Sequence, residues 1–343
     1  MTMSSNTRQE QLLLGASMYV PLTQPVEAII AIANSEKFPN LRSVIFDTED
    51  SVRDDQVNLA LRNLREALPH FRANPNLKRF VRVRTQHILG NITAMDGVVS
   101  LNGFVLPKIT ASNIQMYLSN IGQRDPFMLM PTLETQETFD KDEMIALRNL
   151  LLDDHRSLDR IICLRIGGND LLNCLRIRRN PRTTIYDTAI GNVIAMLSGV
   201  FIPHGIGLSA PVCEVMNRPD VLQLELQKDL DHGLFGKTAI HPDQIPLIEA
   251  AFAVYEYDYT EALQILDENA PAVFRATSSS GKGQRMCEPT THRQWAQDIL
   301  ARAKVYGVRQ EQSLEDEESF AQTNLSNLIQ LPTAAHQRAL RQA

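Results

Sequence analysis

Residues 43–68 have the sequence SVIFDTEDSVRDDQVNLALRNLREAL, in which a short apolar run is followed by a longer helical pattern. Ser43–Asp47 has the length and the β-branched and aromatic content of a buried strand. Gln56–Leu68 repeats apolar residues about every 3.6 positions, which predicts an amphipathic helix. A strand followed by a helix is the repeating unit of an α/β fold.

The same order recurs along most of the chain. The predicted strands are Ala16–Pro21, Ser43–Asp47, Arg79–Arg84, Gly103–Leu106, Phe127–Met130, Arg160–Ile166, Gly205–Leu208 and Lys237–His241. The predicted helices are Val26–Asn34, Gln56–Leu68, Ser112–Ile121, Glu143–Asp153, Tyr186–Ser198, Val221–Gly233 and Ile245–Tyr257. This alternation predicts an α/β protein with a (β/α)₈ TIM barrel. A doubly wound open sheet is the alternative, but it favours a glycine-rich first turn, and residues 21–25 are Pro-Leu-Thr-Gln-Pro.

The chain divides into three predicted segments. Residues 1–14 form an N-terminal lead, residues 15–258 form the barrel, and residues 259–343 form a C-terminal extension that is partly helical. Within the extension, Ser278–Gly283 indicates a flexible loop and Thr291–Tyr306 has helical spacing. Residues 311–319 are acidic and the last residues are polar.

Composition excludes several classes of protein. In the 343 residues, hydrophobic residues make up 43% and charged residues 22%, which excludes a disordered, collagen-like or coiled-coil chain. A net charge of -6 argues against broad nucleic-acid binding. No apolar run reaches the roughly 18 residues of a membrane span, and the first residues lack a secretory signal pattern. We therefore expect neither a membrane nor a nucleic acid as a partner.

Four cysteines, Cys163, Cys174, Cys213 and Cys287, are widely spaced and form no CxxC pair. This pattern favours isolated reduced thiols in a cytoplasmic protein over a structural zinc site.

Acidic residues follow the second predicted strand. Asp47, Glu49 and Asp50 lie within one short stretch, at the carboxyl end of a strand, where barrel enzymes carry their catalytic groups. Together they would concentrate negative charge at this end of the strand. A set of helix N-cap residues is the alternative, chiefly for Asp50.

Two arginines alternate along the third predicted strand. Arg82 and Arg84 are separated by one residue, so their side chains share a face of the strand. Arginines that are buried need anionic partners. A guanidinium suits a substrate carboxylate because it can donate two parallel hydrogen bonds. Ion pairs with the acids after the second strand are the alternative, and the two arginines can differ in this respect.

Two further acids follow neighbouring predicted strands. Glu134 comes after the fifth and Asp170 after the sixth, so their oxygens can converge. Two carboxylates and several waters match the hydrated octahedron that Mg²⁺ prefers. Gly167 and Gly168 would let the backbone approach a ligand closely. For each acid taken alone, a helix cap is the alternative.

Taken in order, seven motifs resemble the HpcH/HpaI aldolase/citrate lyase family, in particular its citrate lyase beta subunit and malyl-CoA lyase branch. They are Ser17–Pro21, Asp47–Val52, Arg82-Val83-Arg84, Leu106-Pro107-Lys108, Glu134-Thr135, Gly167–Leu171 and Gly236–Gln244. The resemblance runs from about residue 14 to about residue 256, and more faintly to about residue 305.

The resemblance implies a carbon–carbon lyase that depends on Mg²⁺, with Mn²⁺ as an alternative metal. Its substrate would be a 2-oxo or 2-hydroxy acid, and whether an acyl-CoA such as citryl-CoA or malyl-CoA is used stays open. The resemblance makes Glu134 and Asp170 the metal ligands and Arg82 the clamp on the substrate carboxylate. Glu49 and Asp50 would be catalytic residues that orient metal-bound waters or Arg82. The expected substrate-binding residues also include Lys108, Gly168 and Asn169.

Family members usually assemble as trimers or hexamers, so a homo-trimer or homo-hexamer is expected. A C-terminal segment of the family can reach a neighbour's site with an acidic residue that acts as an acid or base. Met286-Cys287-Glu288-Pro289 is similar to that segment, which makes Glu288 the candidate here.

Departures from the family pattern lie around this set of residues. Arg84 stands where the family has Asn, Ala16-Ser17 replaces Arg-Ser, and Pro203-His204-Gly205 replaces Asp-Gly. The Gly expected shortly after Glu134-Thr135 is Thr138 or Phe139. The metal-binding and carboxylate-binding residues are kept, so the sequence predicts a divergent member with an unassigned substrate.

Other functions remain as alternatives. The barrel could serve a phosphoenolpyruvate- or pyruvate-using enzyme, or a non-catalytic binding or assembly protein. The arginine run Arg176, Arg178, Arg179 and Arg182 lacks interleaved aromatic residues, so it favours a phosphate-bearing ligand or a subunit contact over a nucleic acid.

Overall fold

The computed structural model describes residues 5–154, 158–276 and 285–309. Residue contacts divide the chain into two compact units, Met1–Phe252 and Ala253–Ala343. The loop predicted at Ser278–Gly283 and the acidic segment at residues 311–319 lie outside the described residues.

Eight parallel strands form the first unit's sheet. They are β1 (Ala16–Pro21), β2 (Ser43–Asp47), β3 (Lys78–Arg82), β4 (Gly103–Leu106), β5 (Met128–Leu133), β6 (Leu164–Ile166), β7 (Leu208–Ser209) and β8 (Lys237–Ala239). Their order in the sheet is β7-β6-β5-β4-β3-β2-β1-β8. A parallel bridge between Ala210 and Lys237 joins the two ends of this order, so the sheet closes. The predicted (β/α)₈ TIM barrel is confirmed.

Helices connect the strands. They are α1 (Ser5–Leu12), α2 (Val26–Ala33), α3 (Val57–Ala67), α4 (Gln86–Thr93), α5 (Ile114–Leu118), α6 (Lys141–Asp153), α7 (Gly168–Cys174), α8 (Ile190–Phe201), α9 (Pro219–Asp231) and α10 (Gln244–Ala251). Sequence patterns missed α4, although Thr85 caps it by accepting a hydrogen bond from the Ile88 N–H at 3.3 Å. They also missed α1, whose Gln11 amide donates to the carbonyl oxygens of Leu208 and Phe235 at 3.0 Å each.

Three predicted boundaries are wrong in ways that matter for the site or the fold. Strand β3 ends at Arg82, so Arg84 lies in the following loop. Strand β5 continues through Pro131 to Leu133 and delivers Glu134 directly after its last residue. The helix predicted over Ile245–Tyr257 stops at Ala251, because Val254 and Tyr255 pair with Val308 and Arg309 as strand.

Apolar side chains form a packed cluster in the barrel interior. Ile45, Phe80, Val105 and Met130 are each 0% exposed and belong to one interior cluster. Burying each of them contributes about 1.5–3 kcal/mol. This packed layer supports the polar side chains at the carboxyl ends of the strands.

The second unit holds a C-terminal helix, as predicted. Its elements are β9 (Val254–Tyr255), α11 (Glu256–Leu266), β10 (Phe274–Arg275), β11 (Met286–Cys287), α12 (Pro289–Tyr306) and β12 (Val308–Arg309). Helices α11 and α12 bury Ala262, Ile265, Ala296 and Ile299 in a separate small core. Pro289 occupies the first turn of α12, where its missing N–H costs no hydrogen bond.

Among the described residues, no helix combines the length and the apolar character that a membrane crossing needs. The four cysteines are all free thiols, as expected.

Candidate active site

The pair of Asp47 and Arg82 is the structural centre of the site. These residues are neighbours in the register of β2 and β3. Arg82 donates from Nε to Asp47 Oδ1 at 2.6 Å and from Nη2 to Asp47 Oδ2 at 2.7 Å, a bidentate pair. Asp47 is fully buried, and burial opposes its ionisation. The hydrogen bonds from Arg82 and Ser51 outweigh burial and hold the pKa of Asp47 below its ordinary value.

Arg82 also contacts two further acids. Its Nη1 lies 2.8 Å from Asp50 Oδ2 and 2.8 Å from Glu49 Oε2. The guanidinium also stacks on the Tyr19 ring, 4.8 Å from its centroid. The ion-pair alternative therefore describes this structure. The role of Arg82 as a clamp on a substrate carboxylate stays a prediction.

Lys108 links the acids of β2 to Glu134. Its Nζ forms an ion pair with Glu49 Oε1 and lies 3.6 Å from Asp50 Oδ1, while its backbone N–H donates to Glu134 Oε1 at 2.9 Å. Lys108 adopts φ 52, which is uncommon for a residue with a Cβ atom and places its N–H toward Glu134. Burial lowers the pKa of Lys108, but the pairing with Glu49 outweighs it, and the net shift is upward.

Glu134 lies among negative charges in a buried position. It is 4% exposed. Burial, followed by the charges of Glu49 and Asp170, raises the pKa of Glu134 to about 7. Burial and the charge of Asp50 likewise raise the pKa of Asp170, which sits in the first turn of α7. The two predicted metal ligands therefore interact electrostatically, and both favour an additional positive charge nearby.

The two glycines before Asp170 serve different contacts. A Cβ atom on Gly167 would lie 2.2 Å from Glu134 Oε2, so the glycine provides the space for that carboxylate. A Cβ atom on Gly168 would lie 2.7 Å from Ile185 Cδ1 and 2.9 Å from Pro211 Cβ. Gly168 is buried and Asn169 is exposed, and their predicted roles in substrate binding remain predictions.

Glu288 lies in the second unit. It precedes α12, accepts a hydrogen bond from Thr291 Oγ1 at 3.0 Å, and donates from its N–H to His292 Nδ1 at 3.1 Å. Its role as an acid or base in a neighbouring copy remains a prediction.

The donor set fits a hard divalent cation. Glu134 and Asp170 supply carboxylate oxygens, and the charge of Glu49, whose Oε2 lies 2.8 Å from Arg82 Nη1, acts on Glu134. In the described ranges, no three His, Cys, Asp or Glu side chains are grouped so that they could hold a metal together. A metal here would rest on two carboxylates and water, which is how proteins commonly bind Mg²⁺. The residues therefore fit Mg²⁺, and Mn²⁺ shares this preference for oxygen.

The position of Arg84 differs from the prediction. Arg84 does not share the face of Arg82. Its Nη1 donates to the carbonyl oxygens of Glu49 at 3.1 Å and Val52 at 3.0 Å, and its Nη2 pairs with Asp54. Arg84 therefore holds the loop that carries Glu49 and Asp50. In the sequence, the one sign of this role is that Arg84 replaces the Asn of the family pattern.

The arginine run after α7 contains a structural member. Arg179 is buried and pairs with Glu214 and Glu225. Glu225 also accepts from the buried Lys237 Nζ at 3.0 Å. Arg179 is thereby occupied within the protein and unavailable to a phosphate or a nucleic acid.

Comparison with known proteins identifies the family of this chain. Residues 8–308 match the family model described as C-C_Bond_Lyase of the TIM-Barrel fold. The chain belongs to this family of C–C bond lyases. The match confirms the resemblance inferred from the seven motifs.

Individual relatives of this C–C bond lyase are distant. A (3S)-malyl-CoA thioesterase of Cereibacter sphaeroides is 24% identical over 216 residues, which are 62% of this chain and 69% of that protein. CitE from Mycobacterium tuberculosis, solved with magnesium, acetoacetate and coenzyme A, has a TM-score of 0.61 and 20% identity and covers 86% of this chain and 99% of its own. The citrate lyase beta subunit of the same organism, solved with oxaloacetate and magnesium, has a TM-score of 0.51 and 18% identity and covers 71% of this chain and 98% of its own. At these identities, the solved structures establish a shared fold.

Proposed function

We propose that this member of the C–C bond lyase family is a magnesium-dependent enzyme that cleaves or forms a carbon–carbon bond next to a 2-oxo or 2-hydroxy acid. The observation that carries the proposal is the position of Glu134. Its carboxylate is buried, and this burial, together with the charges of Glu49 and Asp170, raises its pKa to about 7. A divalent cation would offset this accumulation of negative charge.

Different residues would bind the metal ion and the substrate. Glu134 and Asp170 would hold the ion, and the Lys108 N–H and Gly167 fix the carboxylate of Glu134 in place. When bound, Mg²⁺ supplies a Lewis acid for the oxygen on which an enolate charge develops. Arg82 would orient the substrate carboxylate through its guanidinium.

Proton transfer needs a base near the substrate hydroxyl. Glu49, whose Oε1 and Oε2 pair with Lys108 and Arg82, would orient a water that accepts this proton, and Asp50 lies beside it on the same guanidinium. Glu288 from a neighbouring copy is the other candidate. This second route requires the homo-trimer or homo-hexamer that we propose, and sedimentation analysis of the purified protein tests that assembly.

Candidate substrates follow from the relatives. One relative is named a malyl-CoA thioesterase and a solved neighbour was crystallised with coenzyme A. Malyl-CoA and citryl-CoA are therefore the first thioesters to test, beside free 2-hydroxy acids. We also propose that the protein is located in the cytoplasm.

The test measures magnesium binding and cleavage in the same preparations. Calorimetry of the wild type should show Mg²⁺ binding that Glu134→Gln and Asp170→Asn abolish, with the fold retained. Glu143→Gln, at an exposed acid in the first turn of α6, is the matched control and should bind normally. Unchanged Mg²⁺ affinity in both site variants would reject the ligand assignment. Release of a 2-oxo acid or an acyl-CoA that chelators do not suppress would reject metal dependence.

A further inference from the structure

Arg165 is a buried cation surrounded by neutral groups. It lies on β6 and is 3% exposed. Its Nη2 donates to Thr238 Oγ1 at 2.5 Å, and its Nη1 lies 3.8 Å from the sulfur of Met130. The Tyr19 ring centroid is 5.7 Å from the guanidinium. Within the described chain, Arg165 forms no ion pair with a carboxylate.

In the described ranges, the two other buried arginines, Arg79 and Arg179, have several oxygen acceptors. Arg79, also 3% exposed, donates to the carbonyl oxygens of Ala33 and Arg72. Arg179 pairs with two glutamates. Withdrawing a guanidinium from water is strongly unfavourable unless acceptors replace the water. Among the described residues, the oxygen that accepts from Arg165 is the hydroxyl of Thr238, so its positive charge has no anionic partner there.

An unpartnered hydroxyl lies on the neighbouring strand. Thr132 stands opposite Arg165 in the register of β5 and β6, and paired residues of parallel strands face the same side. Thr132 is 5% exposed, and its Oγ1 has no hydrogen-bond partner in the described part of the chain. Arg165 contacts Met130, which belongs to the interior cluster, so this side is the barrel interior. Two independent signs of missing partners therefore meet on one face.

This face connects to the proposed metal site. Both guanidinium groups lie near the Tyr19 ring, at 4.8 Å from its centroid for Arg82 and 5.7 Å for Arg165. Tyr19 and Thr238, which both contact Arg165, are each only half-buried. A substrate whose first carboxylate is near Arg82 would extend toward Arg165 across Tyr19.

We propose that Arg165, with the hydroxyl groups of Thr132 and Thr238, binds a second carboxylate of the substrate. The enzyme would then select dicarboxylic 2-oxo or 2-hydroxy acids over their monocarboxylic counterparts. Guanidinium and hydroxyl donors match a carboxylate in charge and in number of hydrogen bonds. This inference rests on the proposed function and specifies the substrate class of that site.

Matched ligand pairs isolate the second carboxylate. 2-Oxoglutarate and 2-oxopentanoate share a chain length and differ by a carboxylate in place of a methyl group, as do oxaloacetate and 2-oxobutanoate. Calorimetry with the magnesium-loaded wild type should show a preference for the dicarboxylate of at least one pair by about tenfold or more. Equal affinity within both pairs would overturn the inference.

Variants assign the preference to the residues. Arg165→Met should abolish the preference while Mg²⁺ and monocarboxylate binding persist, Arg165→Lys should restore part of it, and Thr132→Val should reduce it. The melting temperature of ligand-free Arg165→Met should not fall, because a charge without an acidic partner has been removed. A large fall in melting temperature together with an intact preference in Thr132→Val would show a structural role and overturn the inference.

The two proposals fail in different ways. Absence of Mg²⁺ binding in the wild type would reject the proposed function. Normal binding of Mg²⁺ and of the monocarboxylates, without any preference for a dicarboxylate, would reject only the subsite at Arg165.

Discussion

Gly167 and Glu134 approach so closely that a Cβ atom on Gly167 would lie 2.2 Å from Oε2 and 2.4 Å from Cβ of Glu134. The contact joins the ends of two adjacent strands, and the Gly167 N–H donates to the Leu133 carbonyl oxygen at 3.0 Å. The backbone at Gly167 is therefore one wall of the space occupied by a proposed metal ligand.

Gly167→Ala should weaken Mg²⁺ binding. The added methyl group must displace the carboxylate of Glu134 or the backbone, and such overpacking typically costs about 1–3 kcal/mol. We expect a loss of affinity of roughly tenfold or more, since about 1.4 kcal/mol corresponds to a factor of ten. Gly199→Ala is the control, because nothing lies within 4 Å of its added Cβ atom. Equal Mg²⁺ affinity in the two variants would contradict the assigned role of Gly167.

Magnesium affinity should rise with pH around neutrality. Because the pKa of Glu134 is raised to about 7, a large fraction of this carboxyl is protonated near neutral pH and must lose its proton to bind a cation. Affinity should therefore fall as the pH drops from about 8 to about 6, whereas an ordinary carboxylate would stay ionised. Calorimetry in buffers of different ionisation enthalpy measures the released proton. Binding without proton release near pH 7 would argue against Glu134 as a ligand.

The metal-free protein should show the opposite trend. The pKa of Glu134 in the folded chain lies above its ordinary value of 4.5, so its contribution favours the fold at low pH and is lost as the pH rises through about 7. The difference in melting temperature between wild type and Glu134→Gln, measured in chelator, should follow this curve. A difference that is independent of pH would show that the carboxyl is not perturbed.

Arg82→Ala should affect both ligand binding and stability. We expect oxaloacetate to bind more weakly by about 1.5–3 kcal/mol, the value of a charge-assisted hydrogen-bonded pair. The variant also leaves Asp47 buried without its partner, which should lower the free energy of unfolding by about 3–5 kcal/mol. Arg72→Ala is the control, because Arg72 forms an exposed ion pair with Glu36. Unfolding by urea and calorimetry separate the two effects, and equal oxaloacetate affinity in wild type and Arg82→Ala would count against the clamp.

Arg84→Asn, which restores the residue of the family pattern, should reduce Mg²⁺ affinity and activity several-fold. The change removes hydrogen bonds to the Glu49 and Val52 carbonyl oxygens and loosens the loop that carries Glu49. Each lost bond should cost about 1 kcal/mol. Arg53→Asn in the same loop is the control, because Arg53 pairs with the exposed Asp55 and with no other acid among the described residues. Wild-type kinetics in Arg84→Asn would show that the loop holds its shape without this side chain.

Contacts between residues far apart in the chain could not be predicted from the sequence. Alternation predicted that Arg82 and Arg84 share a face, but β3 ends at Arg82 and Arg84 turns back to the loop after β2. Arg165 lies near the end of a predicted strand, and the residues next to it in the sequence do not show that its neighbours in space are neutral. That fact depends on Tyr19, Met130 and Thr238, which come from three other strands.

The sequence by itself determined the alternation of strands and helices and the identity of the polar residues after each strand, because hydrophobic periodicity is a local property of the chain. It also determined that Glu134 and Asp170 follow neighbouring strands and can therefore meet. Only the tertiary structure decided that Arg82 binds Asp47, that Gly167 makes room for Glu134, and that Arg165 has no acidic partner among the described residues. These relationships depend on distances and burial between segments far apart in sequence, which set the electrostatic environment of each group once the barrel has closed.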